Sequence, residues 1–134
     1  FTEPFVTSIG TPGVPINVNA GSRLPGVPEH SLFGELVWRY APVGFHAGVE
    51  VRYSGKVYVN DPNTEFAAAY TVWNLRAGFE QRGRKWRIAE FVRVDNVGDK
   101  QYIGSVIVSE ANNRFYEPAP TRNVMAGVQA SLQF

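Results

Sequence analysis

Apolar and polar residues alternate along most of this chain. Over residues 45–59, Phe45, Ala47, Val49, Val51, Tyr53, Val57 and Val59 fall on one parity; His46, Gly48, Glu50, Arg52, Ser54, Lys56 and Tyr58 fall on the other. A period of two with unlike faces predicts a β-strand. The charged parity cannot lie in a dry core, because unpaired buried charge costs too much. The pattern recurs at residues 121–134, where Val124, Ala126, Val128, Ala130, Leu132 and Phe134 alternate with small or polar residues. Residues 30–41 set Leu32, Leu36, Trp38 and Tyr40 against Ser31, Glu35 and Arg39. Residues 69–82 set Trp73, Leu75, Ala77 and Phe79 against Asn74, Arg76, Gly78 and Glu80. Residues 86–97 carry Trp86, Ile88, Val92 and Val94 on the apolar side, with Glu90 a misfit there. After a bulge near Gly98 this strand is expected to continue through residues 102–109, and residues 1–9 read as the end of a further strand.

The connections alternate as well. APVG at 41–44 and GRK at 83–85 are short, whereas residues 10–29, 60–66 and 110–120 are long and rich in Pro, Gly and Asn. Each strand therefore runs from a short-turn edge to a long-loop edge. The expected fold is an all-β antiparallel meander of about six strands, with no helix of several turns. Trp38, Tyr40, Phe45, Phe79, Trp86 and Phe134 gather beside the short turns. No apolar run approaches the roughly 18 residues of a membrane helix. A β-strand, however, crosses a bilayer with about 9–11 tilted residues and hides its hydrophobicity in alternation. Two readings follow. In a transmembrane barrel the apolar parity meets lipid and the aromatics form an interfacial girdle. In a soluble β-sandwich acting as a binding module the same apolar residues pack on one another.

Composition narrows the chemistry. The 134 residues suffice for one domain, and with no Cys there is neither a disulfide nor a thiolate metal site. A net charge of +1 gives no field for nucleic acid. His30 and His46 sit at opposite ends of one expected hairpin, so a shared metal site is not expected. Glu35 and Glu50 both have Arg neighbours and make a poor catalytic pair. Neither enzyme activity, nor a resident cofactor, nor a bound metal is expected. Candidate ligand contacts lie on the long-loop side: Arg23, Lys56, Tyr58, Arg114, Phe115 and Tyr116. Cations beside aromatics suit an anionic, partly planar ligand such as a ferric chelate.

Residues 93–123, RVDNVGDKQYIGSVIVSEANNRFYEPAPTRN, resemble the carboxy-terminal signature of TonB-dependent outer-membrane receptors. The family's Asn-x-x-Asp-x-x-Tyr falls on Asn96, Asp99 and Tyr102. Its Tyr-Glu-Pro and the following Arg-Asn fall on Tyr116, Glu117, Pro118, Arg122 and Asn123. GSRLPGVPEHS at 21–31 is similar to the family's loop ahead of a late barrel strand. Gly98 stands where an aromatic is usual, and Thr121 where Gly is usual. The resemblance implies a barrel of about 22 strands with a plugged lumen. Residues 1–134 would be its carboxy-terminal segment, with the plug and the TonB-coupling segment upstream and absent here. It implies a bacterial outer-membrane location, lipid contact, and import of a scarce ligand with energy from TonB. A ferric siderophore is the commonest such ligand. IGSVIVSEANNRFYEPAP at 103–120 is also similar to receptors linked to pyrroloquinoline quinone, and haem and cobalamin stay open. The resemblance further implies recognition of Phe134 by the barrel-assembly machinery. Asn96, Asp99 and Tyr102 are expected to serve the fold, since Asn and Asp suit bulges and turns.

Overall fold

A computed structural model describes residues 1–7, 14–110, 112 and 114–133. Its strands are β1 (Phe5–Thr7), β2 (Ile16–Val18), β3 (Ser31–Tyr40), β4 (Phe45–Ser54), β5 (Val57–Tyr58), β6 (Phe66–Ala67), β7 (Tyr70–Arg82), β8 (Trp86–Asp95), β9 (Ile103–Val106), β10 (Tyr116–Pro118) and β11 (Asn123–Leu132). Phe134 lies outside the described residues. The one helical piece described is a three-residue 3-10 turn at Ala41–Val43. No described helix is long and apolar enough to cross a membrane, which says nothing about strands.

The five long strands form one antiparallel sheet in the order β11-β8-β7-β4-β3, which is their order in the chain. This is the expected meander. The register between β8 and β11 runs unbroken from Trp86↔Leu132 to Asp95↔Asn123. The register between β7 and β8 runs from Arg82↔Arg87 to Leu75↔Val94. The Glu80 N–H donates to the Gly44 carbonyl at 2.8 Å, which joins the two short-turn regions at one end of the sheet. Gly44 adopts φ 69°, and a Cβ there would overlap the Glu80 backbone, so this turn requires glycine.

The chain divides into two compact units. One holds Leu32–Arg52, Thr71–Lys100 and Thr121–Phe134, essentially the long strands; the other holds Phe1–Ser31, Tyr53–Tyr70 and Gln101–Pro120. The three long connections therefore cluster together, as their shared edge predicts.

The sheet does not bury its apolar parity. Leu36 is 71% exposed, Val128 74% and Leu132 70%, and Trp38, Trp73 and Leu75 are exposed with them. Packing of these residues on one another, the requirement of a sandwich, does not occur. The opposite parity carries the charged residues, several of them paired, together with Phe33, Val37, Phe91 and Met125. Arg76 pairs with Glu35, Asn74 Nδ2 donates to Glu50 Oε1 at 2.7 Å, and Arg93 Nε donates to Asp95 Oδ1 at 2.7 Å. Near the short turns the aromatics touch in sequence, with ring centroids 6.3 Å apart for Trp38 and Tyr40, 5.5 Å for Trp38 and Phe45, and 5.1 Å for Phe45 and Phe79.

Two inward positions hold glycine for a steric reason. The Phe91 ring covers Gly127, where a Cβ would lie 2.6 Å from Cε1, and the His46 imidazole covers Gly78. Gly127→Val should therefore displace Phe91 and cost about 1–3 kcal/mol, the range for overpacking. Chemical unfolding of the reconstituted receptor would register it, and Phe91→Ala in the same chain should relieve most of the loss.

Several expectations need correction. The strand expected over 45–59 breaks at Gly55, whose N–H donates to the His30 carbonyl at 2.7 Å, and β5 pairs with β6 instead. The bulge expected near Gly98 is a turn that ends β8: Asn96 and Asp99 take left-handed φ values of 52° and 51°, and β9 pairs with β10 in a separate sheet. Residues 10–29 are not all loop, since β2 within them pairs with β1. Glu90, the misfit of the apolar parity, is not at a bulge. It sits in unbroken ladder between Phe79 and Val128 on the apolar face, and it makes no ion pair among the described residues.

Candidate functional site

The unit made by the long connections has its own small core, in which Val18, Val59, Ala67 and Phe115 are buried. Its central turn, residues 60–65, is held by side-chain amides. Asn60 Oδ1 accepts from the Thr64 N–H at 3.0 Å, and Asn63, at φ 59°, donates from Nδ2 to the Asn60 carbonyl at 3.1 Å. Asn tolerates this conformation because its short amide bonds locally. Asn63 also binds the Arg23 backbone at both ends: Oδ1 accepts the N–H at 2.5 Å, and Nδ2 donates to the carbonyl at 3.0 Å. One asparagine thereby ties the loop carrying Arg23 to the β5–β6 hairpin.

On this hairpin Lys56 Nζ stands 4.4 Å from the Phe66 ring centroid and 5.5 Å from that of Tyr58. The two rings meet edge to face at 6.1 Å. Tyr116 closes the group: its hydroxyl donates to the Phe66 carbonyl at 3.2 Å and lies 3.4 Å from Glu65 Oε2. Burial first, then the Glu65 carboxylate, raises the Tyr116 phenol above its ordinary pKa, so it stays a protonated donor. The result is a half-buried cation resting on aromatic faces, an arrangement worth about 0.5–2 kcal/mol. It presents positive charge beside flat apolar surface.

Of the six candidate residues, Lys56, Tyr58 and Tyr116 come together. Phe115 belongs to the core of the unit, although its ring lies 6.1 Å from that of Tyr116. Among the described residues, Arg23 is held through its backbone. Arg114 is fixed in another turn, where Glu110 Oε2 accepts from the Arg114 N–H at 3.1 Å and from the Asn112 N–H at 2.7 Å. Phe66, the ring at the centre of the group, was missed. It reads as the last residue of a polar loop, and only its bulk beside the next strand hints at a role.

The Glu110 carboxylate is held below its ordinary pKa, chiefly by the Arg114 backbone N–H and then by Asn112. A depressed carboxyl contributes order above its unfolded pKa and loses it as pH falls through the folded value. The Glu110 contacts to Asn112 and Arg114 should thus loosen only below the unperturbed Glu range. Lower amide protection at Asn112 and Arg114 there, relative to the intrinsic exchange rate at each pH, with protection unchanged from pH 6 to 8, is the expected result.

The signature residues turn the chain at the end of β8. Asn96 is 4% exposed; its Oδ1 accepts from the Lys100 N–H and its Nδ2 donates to the Lys100 carbonyl, both at 2.8 Å. Its own N–H donates to Asn74 Oδ1 at 2.9 Å. Asp99 Oδ1 accepts from the Arg122 N–H at 2.9 Å, and Asn123 then starts β11 opposite Asp95. Tyr102 stacks on Tyr70 with centroids 4.1 Å apart, and Glu117 and Pro118 lie in β10. These contacts place them in the turn after β8, in β10 and at the start of β11. Gly98 has no positive φ, and a Cβ there would meet nothing within 4 Å, so its departure from the family pattern is sterically neutral.

A sheet with one exposed apolar face, one charge-bearing face and aromatics at the short-turn end is the wall of a transmembrane β-barrel. A family model described as TonB dependent receptor-like, beta-barrel, matches residues 6–97, more than half of the chain. The chain belongs to this family: it is part of an outer-membrane β-barrel of bacterial TonB-dependent transport. The family comprises transporters and receptors of small ligands, not enzymes. The match ends within the turn that opens at Asn96.

Proposed function

We propose that this chain supplies the carboxy-terminal strands of an active importer whose plug and TonB-contacting segment lie upstream, and that its cargo is an anionic, partly planar chelate, a ferric siderophore first among them. The observation that supports the cargo class is the Lys56 ammonium over the Phe66 and Tyr58 rings. A carboxylate- or catecholate-bearing ligand gains charge pairing from Lys56 and stacking area from the rings. Long connections of bacterial barrels face the exterior, where such a ligand arrives. Recognition of Phe134 by the assembly machinery belongs to the same proposal.

The test is equilibrium binding of ferric siderophores and of pyrroloquinoline quinone to the full-length receptor in detergent. Lys56→Ala and Tyr58→Ala should each weaken the bound member about tenfold, and Lys56→Arg should restore most of the affinity. Binding of the quinone in place of every ferric chelate would move the cargo to that class. Unchanged affinity in both alanine variants would remove this group from the ligand site.

A further inference from the structure

Glu90 is a lone carboxylate within an apolar wall. Ile88 and Val92 flank it on its own strand, and across the ladders it faces Phe79 of β7 and Val128 of β11. Phe79, Val92 and Val128 are exposed on this face, and Glu90 is exposed with them. Both flanking strands keep register through Glu90, so nothing turns it toward the charged face. No cation of this chain stands beside it. The outward parity of the five long strands, every second residue of 32–40, 45–53, 71–81, 86–94 and 124–132, contains no Lys, Arg or His. The residues that lie outside the described ones contain none either. An ionisable side chain facing lipid is expensive unless another group pairs with it.

We propose that Glu90 marks an interface within the membrane: a lipid-facing strand of a second, different outer-membrane β-barrel docks on the β7–β8–β11 face and presents a Lys or Arg side chain to this carboxylate. Charge complementarity selects that occupant. A lipid headgroup does not reach the site, because Glu90 lies roughly 9 Å in depth inside the girdle residue Trp86. A second copy apposed through the same face would set carboxylate against carboxylate, with no cation between them. The relief of the surface suits a close neighbour. Ala77 and Ala126 oppose Val92 on one side of Glu90, and Ala130 opposes Ile88 on the other. Small side chains let a neighbouring membrane segment approach closely. The proposal rests on the barrel wall and is independent of the cargo.

The experiment is photo-crosslinking of the full-length receptor in the outer membrane of its own cells, with p-benzoylphenylalanine in place of Val128. The crosslinked peptides should join it to a different β-barrel, through a lipid-facing strand that contains a Lys or Arg. The same label in place of the inward-facing Gln129 should not. Glu90→Gln removes the charge and keeps the shape. It should lower the adduct about tenfold, since it leaves the partner's cation unpaired. Retained heat-modifiable gel mobility establishes that this variant is folded. Glu90→Lys should abolish the adduct, and changing the partner's cation to Glu should restore it; if Glu90→Lys does not assemble, Glu90→Gln alone decides. An unchanged adduct in Glu90→Gln, an adduct to lipid only, to a second copy or to another strand of the same receptor, or no adduct at all would overturn the proposal.

Discussion

Leu36→Arg should destabilise the reconstituted receptor by about 2–4 kcal/mol, the cost of a cation near the bilayer midplane on a lipid-facing strand. Val37→Arg, one residue along the same strand, should cost little. The argument turns on exposure. Leu36 is 71% exposed and Val37 40% exposed, so neither substitution opens a cavity or overfills a core. In water an exposed position tolerates substitution within about 0.5 kcal/mol. Only a solvent that penalises charge can make Leu36→Arg expensive. Val37 shares its face with Glu35 and Arg39, on the side where the sheet is already polar, so an added guanidinium there stays solvated. Leu36 lies mid-strand in β3, two residues before Trp38, so snorkelling toward the girdle relieves part of the cost and places the effect at the lower end of that range. Denaturant unfolding from lipid vesicles measures both variants on one scale. Equal and small effects would contradict lipid contact at Leu36.

The second large effect is expected at Asn96. Asn96→Ala removes two side-chain hydrogen bonds to Lys100, each worth about 0.5–1.5 kcal/mol, at a buried site. It also forces alanine into a left-handed conformation that costs about 1–2 kcal/mol. Together these give a loss of about 2–5 kcal/mol. Asn96→Asp keeps the acceptor for the Lys100 N–H and tolerates the same φ, so it should lose roughly half as much. Asn74→Ala acts on the same network from the neighbouring strand, because it strips partners from both the Asn96 N–H and Glu50. The Asn74 and Asn96 losses should be less than additive, since Asn74 Oδ1 accepts from the Asn96 backbone N–H, whose placement depends on the turn that the Asn96 side chain holds. Strict additivity in a double-mutant cycle would show that the turn does not depend on this chain of amides.

The long strands were legible because each needs only a period of two and a difference between faces. Residues 45–54, 70–82, 86–95 and 123–132 satisfy that locally, and their order in the sheet follows from short turns at 41–44 and 83–85. The short strands were not legible. β2, β5, β6, β9 and β10 have two to four residues each, too few to show a period. Their pairing depends on partners elsewhere in the long connections and on burial of single residues such as Val18 and Val59. The turn after β8 was half legible. Asn96 and Asp99 are residue types that adopt left-handed backbone, but composition does not distinguish a bulge that continues a strand from a turn that ends it. At the candidate site, Lys56, Tyr58 and Tyr116 were singled out from charge and aromaticity alone, and the structure brings them together. Phe66 was missed because its importance lies in the rings and ammonium that the hairpin brings to it.

Glu90 is the position where local pattern and environment disagree most. Its Cα partners, Phe79 and Val128, are apolar and exposed, and no bulge rotates it off that face. A carboxylate facing lipid costs less than Arg or Lys at equal depth but is still unfavourable. It lies four residues from Trp86, about 13 Å along the strand at the usual rise, or roughly 9 Å in depth at a 45° tilt.

The most direct measurement is site-directed spin labelling of the full-length receptor in bilayers, one label at a time at positions 36, 49, 51, 35, 50 and 52. Lipid-soluble oxygen should relax the labels at 36, 49 and 51, while a water-soluble nickel chelate should relax those at 35, 50 and 52. Preferential access of the nickel chelate at 36, 49 and 51, or their shielding from both reagents by packed protein, would contradict the assignment of this sheet to a membrane barrel wall.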